Sequence, residues 1–338
     1  MSILGLNKIY NIMNNINKFY QRFAKDYNLP INVFDEEMFK YYMKLYGDFF
    51  PDCIFNEIVE KIENEYEGNV DRWLDYCASV RDNAINEILS SPEYNHFNTM
   101  SMTSFDVTYP CGERSCYTEE ADGEFFLSID LKKANFQALK HVKVINDDTY
   151  EKFIKRMGGD DYISGSKYLR QVIFGKLNPS RQIKVEKYLM CKVYDGVNNK
   201  LKNYGFDLYS FNSDELIYKA SKKVYDSMCY NTIDGFKMSI QHLIEDLKHI
   251  IDLYIGVDTT IEFFNIKRLP IVNSNGSKVD AYVKENFLTK QRKLKKASTT
   301  FYPQIYKLWK NMPIIEKDRV FFFENQLATF NESLKLIE

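Results

Sequence analysis

The feature of this sequence that most constrains its fold is an apolar run that ends in a single acid. Residues 125–140 read FFLSIDLKKANFQALK, in which Phe125 to Ile129 have the character of a buried strand and Asp130 follows at once. The next turn has the spacing of an amphipathic helix. A carboxylate at the end of a core strand is costly to bury without a partner. Asp130 is therefore either the N-cap of a helix that begins at Leu131 or part of a site.

A second acidic motif lies on a predicted hairpin. Residues 204–220 read YGFDLYSFNSDELIYKA, which indicates a strand, a tight turn with Asp214 and Glu215, and a second strand. Such a tip is either a solvated turn or a place where carboxylates meet a cation. If the strand that ends at Asp130 is a neighbour of this hairpin, Asp130 and Asp214 converge at one sheet edge. Two carboxylates placed in this way can hold a pair of divalent ions about 3.5–4 Å apart.

Cations are concentrated in two further segments. Residues 165–190, GSKYLRQVIFGKLNPSRQIKVEKYLM, have a mostly helical pattern that is rich in lysine and arginine. Side chains of this kind can bind a triphosphate or a nucleic-acid backbone, or they can form a solvated helix face. The strongest basic run is KQRKLKK at 290–296, which is typical of a nucleic-acid contact or of a basic surface loop.

The composition excludes some classes of function but does not identify one. The 338 residues, 45% of them hydrophobic, are enough for the core of one large or two modest domains. The net charge of -2 means that any surface for nucleic acid has to be local. The chain has no apolar run of about 18 residues and no signal-peptide pattern. We therefore expect no membrane contact and a cytoplasmic location, in the host cell if the gene is viral or phage-borne.

The periodicity along the chain predicts an α+β protein. Residues 1–95 have apolar residues at helical spacing, and residues 96–124 are rich in turn formers. Strands follow among helices from about residue 125. The simplest division has three parts, a helical N-terminal region, a catalytic region and an accessory C-terminal region, at residues 1–100, 101–275 and 276–338.

The order and spacing of these motifs resemble those of palm-domain nucleic-acid polymerases. FLSIDLKKANFQAL is similar to the first catalytic motif of reverse transcriptases, and FNSDELIY resembles their third. Both also resemble family A DNA polymerases, whose third motif ends in Asp-Glu-Leu. RQVIFGKLNP is similar to the family A fingers helix and equally to the Gly-centred second motif of reverse transcriptases. The 45 residues from Asp130 to Gly175 and the 39 from Gly175 to Asp214 resemble the compact reverse transcriptase layout.

The resemblance implies a fold and an activity. The fold is a palm, an antiparallel sheet with packed helices, with a helical N-terminal region and a thumb-like C-terminal region. The activity is nucleotidyl transfer from nucleoside triphosphates to a nucleic-acid 3′ end on a primer–template. The implied cofactor is a pair of Mg²⁺ ions, with Mn²⁺ as a substitute.

The resemblance also assigns residues. Asp130 and Asp214 are the implied metal ligands, Glu215 supports them in catalysis, and the Leu131 backbone belongs to the metal site. The implied nucleotide-binding residues are Lys132, Asn135, Lys167, Arg170, Phe174 and Gly175. The implied nucleic-acid-binding residues are Arg181, Lys267, Arg268, Lys290, Arg292 and Lys293.

The sequence also departs from both families. Ser213 precedes Asp214, where reverse transcriptases have an aromatic residue and family A has His. Asn135 stands where reverse transcriptases have the aromatic that checks the sugar 2′ position. Two alternatives therefore stay open: an inactive palm that binds nucleic acid or a protein, and an unrelated α+β interaction protein. The acids in GGDD at 158–161 follow no apolar strand, so we expect a helix-ending loop there.

Overall fold

A computed structural model describes residues 16–47, 52–230, 232–323, 326–331 and 333–337. The described α-helices are α1 (16–26), α2 (Glu36–Leu45), α3 (Asp52–Glu65), α4 (Val70–Ser90), α5 (Pro92–Thr99), α6 (Ala134–His141), α7 (Tyr150–Arg156), α8 (Asp161–Gly165), α9 (Lys167–Gly175), α10 (Pro179–Tyr204), α11 (Lys222–Tyr230), α12 (Ile233–Tyr254) and α13 (Tyr302–Trp309). The described strands are β1 (Phe125–Leu131), β2 (Phe206–Phe211), β3 (Glu215–Ala220), β4 (Thr259–Arg268), β5 (Ile271–Val272), β6 (Lys278–Val279), β7 (Tyr282–Asn286), β8 (Arg292–Lys295), β9 (Val320–Phe323), β10 (Gln326–Thr329) and β11 (Lys335–Leu336). Helices and antiparallel sheets are thus combined, which confirms the α+β class.

The chain divides into two units, and each is assembled from separate stretches. The first unit comprises Met1–Tyr94, Asn146–Leu177 and Ser298–Ser333; the second comprises Asn95–Ile145, Asn178–Ala297 and Leu334–Glu338. The three-part division made from the sequence is linear and stays a prediction. No helix in the described ranges is both long enough and apolar enough to cross a membrane.

The first unit is mainly helical and pairs the charges that it buries. Trp73 on α4 and Phe19 on α1 are almost completely buried, with ring centroids 5.6 Å apart. Asp26 is 1% exposed, and its carboxylate accepts hydrogen bonds from Arg22 Nε at 2.8 Å and from Ser166 Oγ at 2.6 Å. Since a buried charge without partners is strongly destabilising, these bonds make the position of Asp26 tolerable.

The GGDD stretch in the first unit has a structural explanation. After α7, Gly158 adopts a left-handed φ of 88°. Asp160 then caps α8, because its carboxylate accepts a hydrogen bond from the Ile163 N–H at 2.9 Å. The same carboxylate pairs with Lys61 Nζ at 2.6 Å. Gly158 to Asp160 therefore form the expected loop after α7, whereas Asp161 is the first residue of α8.

A six-stranded antiparallel sheet forms the centre of the second unit, in the order β2-β3-β1-β4-β7-β8. One face packs against α10 and α12. Leu127 and Ile129 on β1 and Phe263 on β4 lie on this face, and all three are 0% exposed. Burying each such side chain stabilises the fold by about 1.5–3 kcal/mol. This face therefore supplies the main core of the unit.

The opposite face of the sheet is only partly covered. Phe126 on β1 packs there in a smaller cluster with Phe264, Tyr282 and Cys116. Side chains alternate between faces along a strand, so Ser128 and Asp130 share the face of Phe126. Asp130 is half-buried rather than buried. The face thus changes from apolar to polar toward the end of β1.

Gly205 connects α10 to the sheet. It ends the helix with a left-handed φ of 95°, and β2 begins at the next residue. A Cβ placed on Gly205 would lie 2.9 Å from Ser221 Oγ and 3.1 Å from Lys223 Cβ. A larger residue would therefore be strained both in its backbone and in its contacts.

We expect Gly205→Ala to lower the free energy of unfolding by about 1–3 kcal/mol, since the left-handed backbone and the close contact both disfavour a methyl group. Thermal unfolding followed by circular dichroism measures the change. Gly112→Ala is the matched control in the same unit, because its φ is not positive and its Cβ would meet nothing within 4 Å. Equal midpoints for both variants would show that the backbone conformation and close contacts of Gly205 do not disfavour a methyl group.

Candidate functional site

Asp130 lies within β1 and does not cap a helix. The next helix, α6, begins at Ala134, and its N-cap position is Lys133, which has a left-handed φ of 53°. No hydrogen bond or ion pair to the Asp130 carboxylate occurs among the described residues. The capping alternative is therefore wrong for Asp130, and the carboxylate remains on the polar part of the sheet face.

The register of β1 with β3 places a second carboxylate beside Asp130. Asp130 lies directly opposite Glu215, so the two side chains project from the same face. Residues opposed in this way have Cβ atoms about 4.5–5.5 Å apart. The Leu131 N–H donates a hydrogen bond to the carbonyl oxygen of Asp214 at 2.8 Å, which joins the hairpin loop to the end of β1. The acids of the first and third motifs thus lie on neighbouring strands.

The electrostatic environment opposes ionisation of these acids. Burial raises the pKa of Asp130 to about 7, and the charges of Glu215 and Asp214 add to the shift, while Lys284 opposes it. Burial also raises the pKa of Glu215, and Asp214 contributes in the same direction. Carboxylates that repel one another in a half-buried site are stabilised when a cation binds between them.

A further acid of the site, Glu186, is absent from the sequence-based assignment. It lies on α10, is 3% exposed, and accepts a hydrogen bond from Asn135 Nδ2 at 2.7 Å. Burial raises the pKa of Glu186 to about 7, and the charge of Asp214 adds to the shift. Its helical spacing from the buried residues Gln182 and Leu189 was the signal that could have revealed it.

Gln137, a second residue that sequence reasoning missed, positions the end of β1. Its Nε2 donates to the carbonyl oxygen of Lys132 at 2.8 Å, and its Oε1 accepts from the Asp258 N–H at 2.8 Å. These bonds join the residues after β1 to those before β4. Lys132, which was assigned to the nucleotide, has its ammonium 3.0 Å from Asp258 Oδ1.

The remaining residues assigned to the nucleotide, apart from Asn135, lie in the first unit. Phe174 is 1% exposed, with its ring centroid 6.0 Å from that of Tyr150, so it is a core residue there. The guanidinium of Arg170 lies 5.9 Å from the same tyrosine ring. Lys167 is exposed, and Gly175 has room for a Cβ.

Two of the residues assigned to nucleic acid contact other residues of the second unit. Arg181 donates to the carbonyl oxygen of Met100 and lies 5.4 Å from the ring centre of Phe97. Arg268 pairs with Glu119 Oε1 at 2.7 Å, and its side chain is 14% exposed. Both guanidinium groups therefore have contacts within the fold.

In the basic run at residues 290–296, some side chains form ion pairs and others are exposed to solvent. Arg292 Nε pairs with Glu285 Oε2 at 2.6 Å, and Lys290 lies 3.7 Å from the same carboxylate. Lys267 and Lys293 are exposed. Lys293 projects from the opposite side of β8 to its neighbour Arg292.

A scan against protein-family models found no match, and a search of the curated proteins found no relative. Within the described ranges, no three or more His, Cys, Asp or Glu side chains are arranged as a metal-binding group. The oxygen chemistry of the carboxylates nevertheless fits Mg²⁺, which is commonly bound by one or two carboxylates together with substrate phosphates.

We expect Asp130→Asn to stabilise the fold at alkaline pH. The folded protein favours the protonated acid, so the stabilising contribution is present below the usual pKa of 3.8 and is lost as the pH rises through about 7. The variant cannot ionise, and its free energy of unfolding at pH 8 should exceed that of the wild type by about 1–3 kcal/mol. The difference should shrink as the pH is lowered to about 5.

Thermal midpoints at the two pH values measure this difference. Asp207→Asn is the matched control, because Asp207 is exposed on β2 of the same sheet. A variant at Asp130 that is less stable than the wild type at pH 8 would show that the carboxylate is stabilised in the fold rather than strained.

Proposed function

We propose that the protein is a nucleotidyltransferase that adds nucleotides to a nucleic-acid 3′ end at a two-magnesium, palm-type site. The observation that carries the proposal is the register that sets Asp130 opposite Glu215, with the Asp214 carbonyl bonded to the Leu131 N–H. The site joins acids from two motifs whose order resembles that of reverse transcriptases. Without this pairing, each motif alone would be too short to indicate a site.

The architecture of the second unit supports the same proposal. Its sheet is antiparallel, its acids lie near the end of a central strand and at the adjacent hairpin, and α10 and α12 cover the other face. An antiparallel sheet with helices on one face leaves the second face for a ligand. We propose that this unit contains the palm and that residues 276–338 include the thumb-like part.

The acids fit the cofactor that the proposal requires. Asp130 and Asp214 would hold the Mg²⁺ ions, or Mn²⁺ in their place, with Glu215 beside them. Bound magnesium would stabilise the attacking and leaving oxygens of phosphoryl transfer. Glu186 and Asn135 act as positioning residues behind Asp214, because their mutual hydrogen bond fixes both side chains. The substrates are nucleoside triphosphates and a primer–template.

An inactive palm that binds nucleic acid is the second candidate. The observation that favours it is the ammonium of Lys284, whose charge already offsets those of Asp130 and Glu215. A side-chain cation can stabilise an acidic cluster without a metal. This candidate predicts binding of nucleic acid without incorporation of nucleotides.

We expect Asp130→Asn and Asp214→Asn each to reduce incorporation by roughly 10³-fold or more, because each removes a ligand whose charge stabilises the transition state by several kcal/mol. Primer extension on RNA and DNA templates, with Mg²⁺ and with Mn²⁺, measures the rate. A thermal midpoint at or above that of the wild type shows that the variants are folded.

Asp161→Asn is the matched control, because Asp161 belongs to the rival GGDD stretch and its side chain is 94% exposed. It should extend primers at the wild-type rate. Normal incorporation by Asp130→Asn would refute the site. Loss of activity in the Asp161 variant would move the catalytic acids to the first unit.

A further inference from the structure

Three lysines project from one face of the β7–β8 hairpin. Lys284 on β7 lies directly opposite Lys293 on β8, and opposed residues of antiparallel strands share a face. Lys295 follows Lys293 by two residues, so it projects from the same side. Like charges placed opposite one another destabilise a strand pair. An arrangement of this kind therefore requires a compensating partner.

This lysine face is continuous with the acidic face. Asp130 pairs with Thr260 on β4, and Ile266 on β4 pairs with Lys284. Thr260 and Ile266 are six positions apart on β4, so both point to the same side of the sheet. Acids on β1 and β3 and lysines on β7 and β8 thus project from one face of the sheet, part of which is covered by the cluster around Phe126 and Cys116.

The fold supplies only part of the compensation. Lys284 pairs with Glu262 Oε2 and lies 4.0 Å from the ring centre of Phe264. Lys293 and Lys295 have no ion pair with any residue in the described ranges. Burial lowers the pKa of Lys295, and the charges of Lys284 and Lys293 add to the shift, while those of Glu215 and Glu262 oppose it. An anion that lies over the hairpin would relieve this repulsion.

The spacing indicates which anion fits. Neighbouring strands are about 4.8 Å apart, which puts β7 about 10 Å and β8 about 14 Å from β1 across the sheet. Along the strands, the partner of Lys284 lies six residues from the partner of Asp130 on β4, which adds about 20 Å. Successive phosphates of one nucleic-acid strand advance about 3.4 Å along its axis. A strand whose end lies at Asp130 would therefore need several successive phosphates to reach the hairpin, whereas a single nucleotide would remain near the acids.

We propose that Lys293 and Lys295, beside the paired Lys284, form a binding site for the phosphodiester backbone of a nucleic-acid strand. Its identity as the strand that carries the reacting 3′ end rests on the proposed function. Lysine ammonium groups suit this role, because backbone binding needs charge and no base readout. The assignment adds Lys295 to Lys293. It sets Lys290 and Arg292 aside because they pair with Glu285, and it gives Lys284 no direct contact because Lys284 pairs with Glu262.

The test measures binding of a fluorescently labelled 20-nucleotide single strand to the full chain in EDTA by anisotropy. We expect the double variant Lys293→Ala/Lys295→Ala to bind on the order of tenfold more weakly at low salt. The slope of log K against log salt should become shallower by about 1.4, which corresponds to two released phosphate contacts. The control is Lys202→Ala/Lys248→Ala, two exposed lysines of the same unit, which should bind as the wild type does.

Each outcome separates this site from the polymerase proposal. Weakened strand binding in the test variant, without incorporation by the wild type under any condition, supports the lysine site and refutes the enzyme. Incorporation by the wild type with unchanged strand binding in the test variant supports the enzyme and refutes the lysine site. Equal loss in the control variant, or loss of triphosphate binding with intact strand binding, also overturns the backbone assignment.

Discussion

The antiparallel register of β1 with β3 is the interaction on which the rest of the site depends. It opposes Asp130 to Glu215 and brings the Asp214 loop to the Leu131 N–H. A slip of one residue would move every side chain of β1 to the other face of the sheet. Asp130 would then point toward the helices, and Leu127 and Ile129 would leave the core. The apolar residues that fold the sheet therefore also fix the acids.

The ionised carboxylates of the site destabilise the fold. A shift of the Asp130 pKa from 3.8 to about 7 corresponds to at most about 4 kcal/mol of unfavourable free energy for the ionised form. Two or three fully buried side chains such as Leu127, Ile129 and Phe263 offset an amount of that size. A cluster that survives at this cost, in a half-buried position, is more typical of a functional site than of a structural one.

The sequence was sufficient for the features that depend on local pattern. Strand β1 and the β2–β3 hairpin were predicted from apolar pattern and turn residues, and the structure has both. Glu186 and Gln137 were missed because their importance arises from neighbours far along the chain. Phe174 shows the converse: a Phe-Gly spacing cannot distinguish a ring that stacks on a base from one that fills a core.

The basic run was also predicted only in part, because its contacts depend on the pairing of two strands. KQRKLKK predicts positive charge, but only the pairing of β8 with β7 divides it into two sides. One side places Arg292 on Glu285, and the other places Lys293 opposite Lys284. Because residue alternation is fixed while register is not, the sequence gives the spacing of the lysines without their partner across the hairpin.

Acids and lysines on one sheet face have opposite effects on a polyanion. Near Asp130 and Glu215 a phosphate is repelled until a cation reduces the negative charge, whereas near Lys293 it is attracted without one. On the proposed arrangement, the backbone is therefore held independently of magnesium and the strand end approaches the acids only when the metal is bound. This separation lets binding and chemistry depend on different residues of a single sheet, which is the physical reason to treat its two ends as one functional surface.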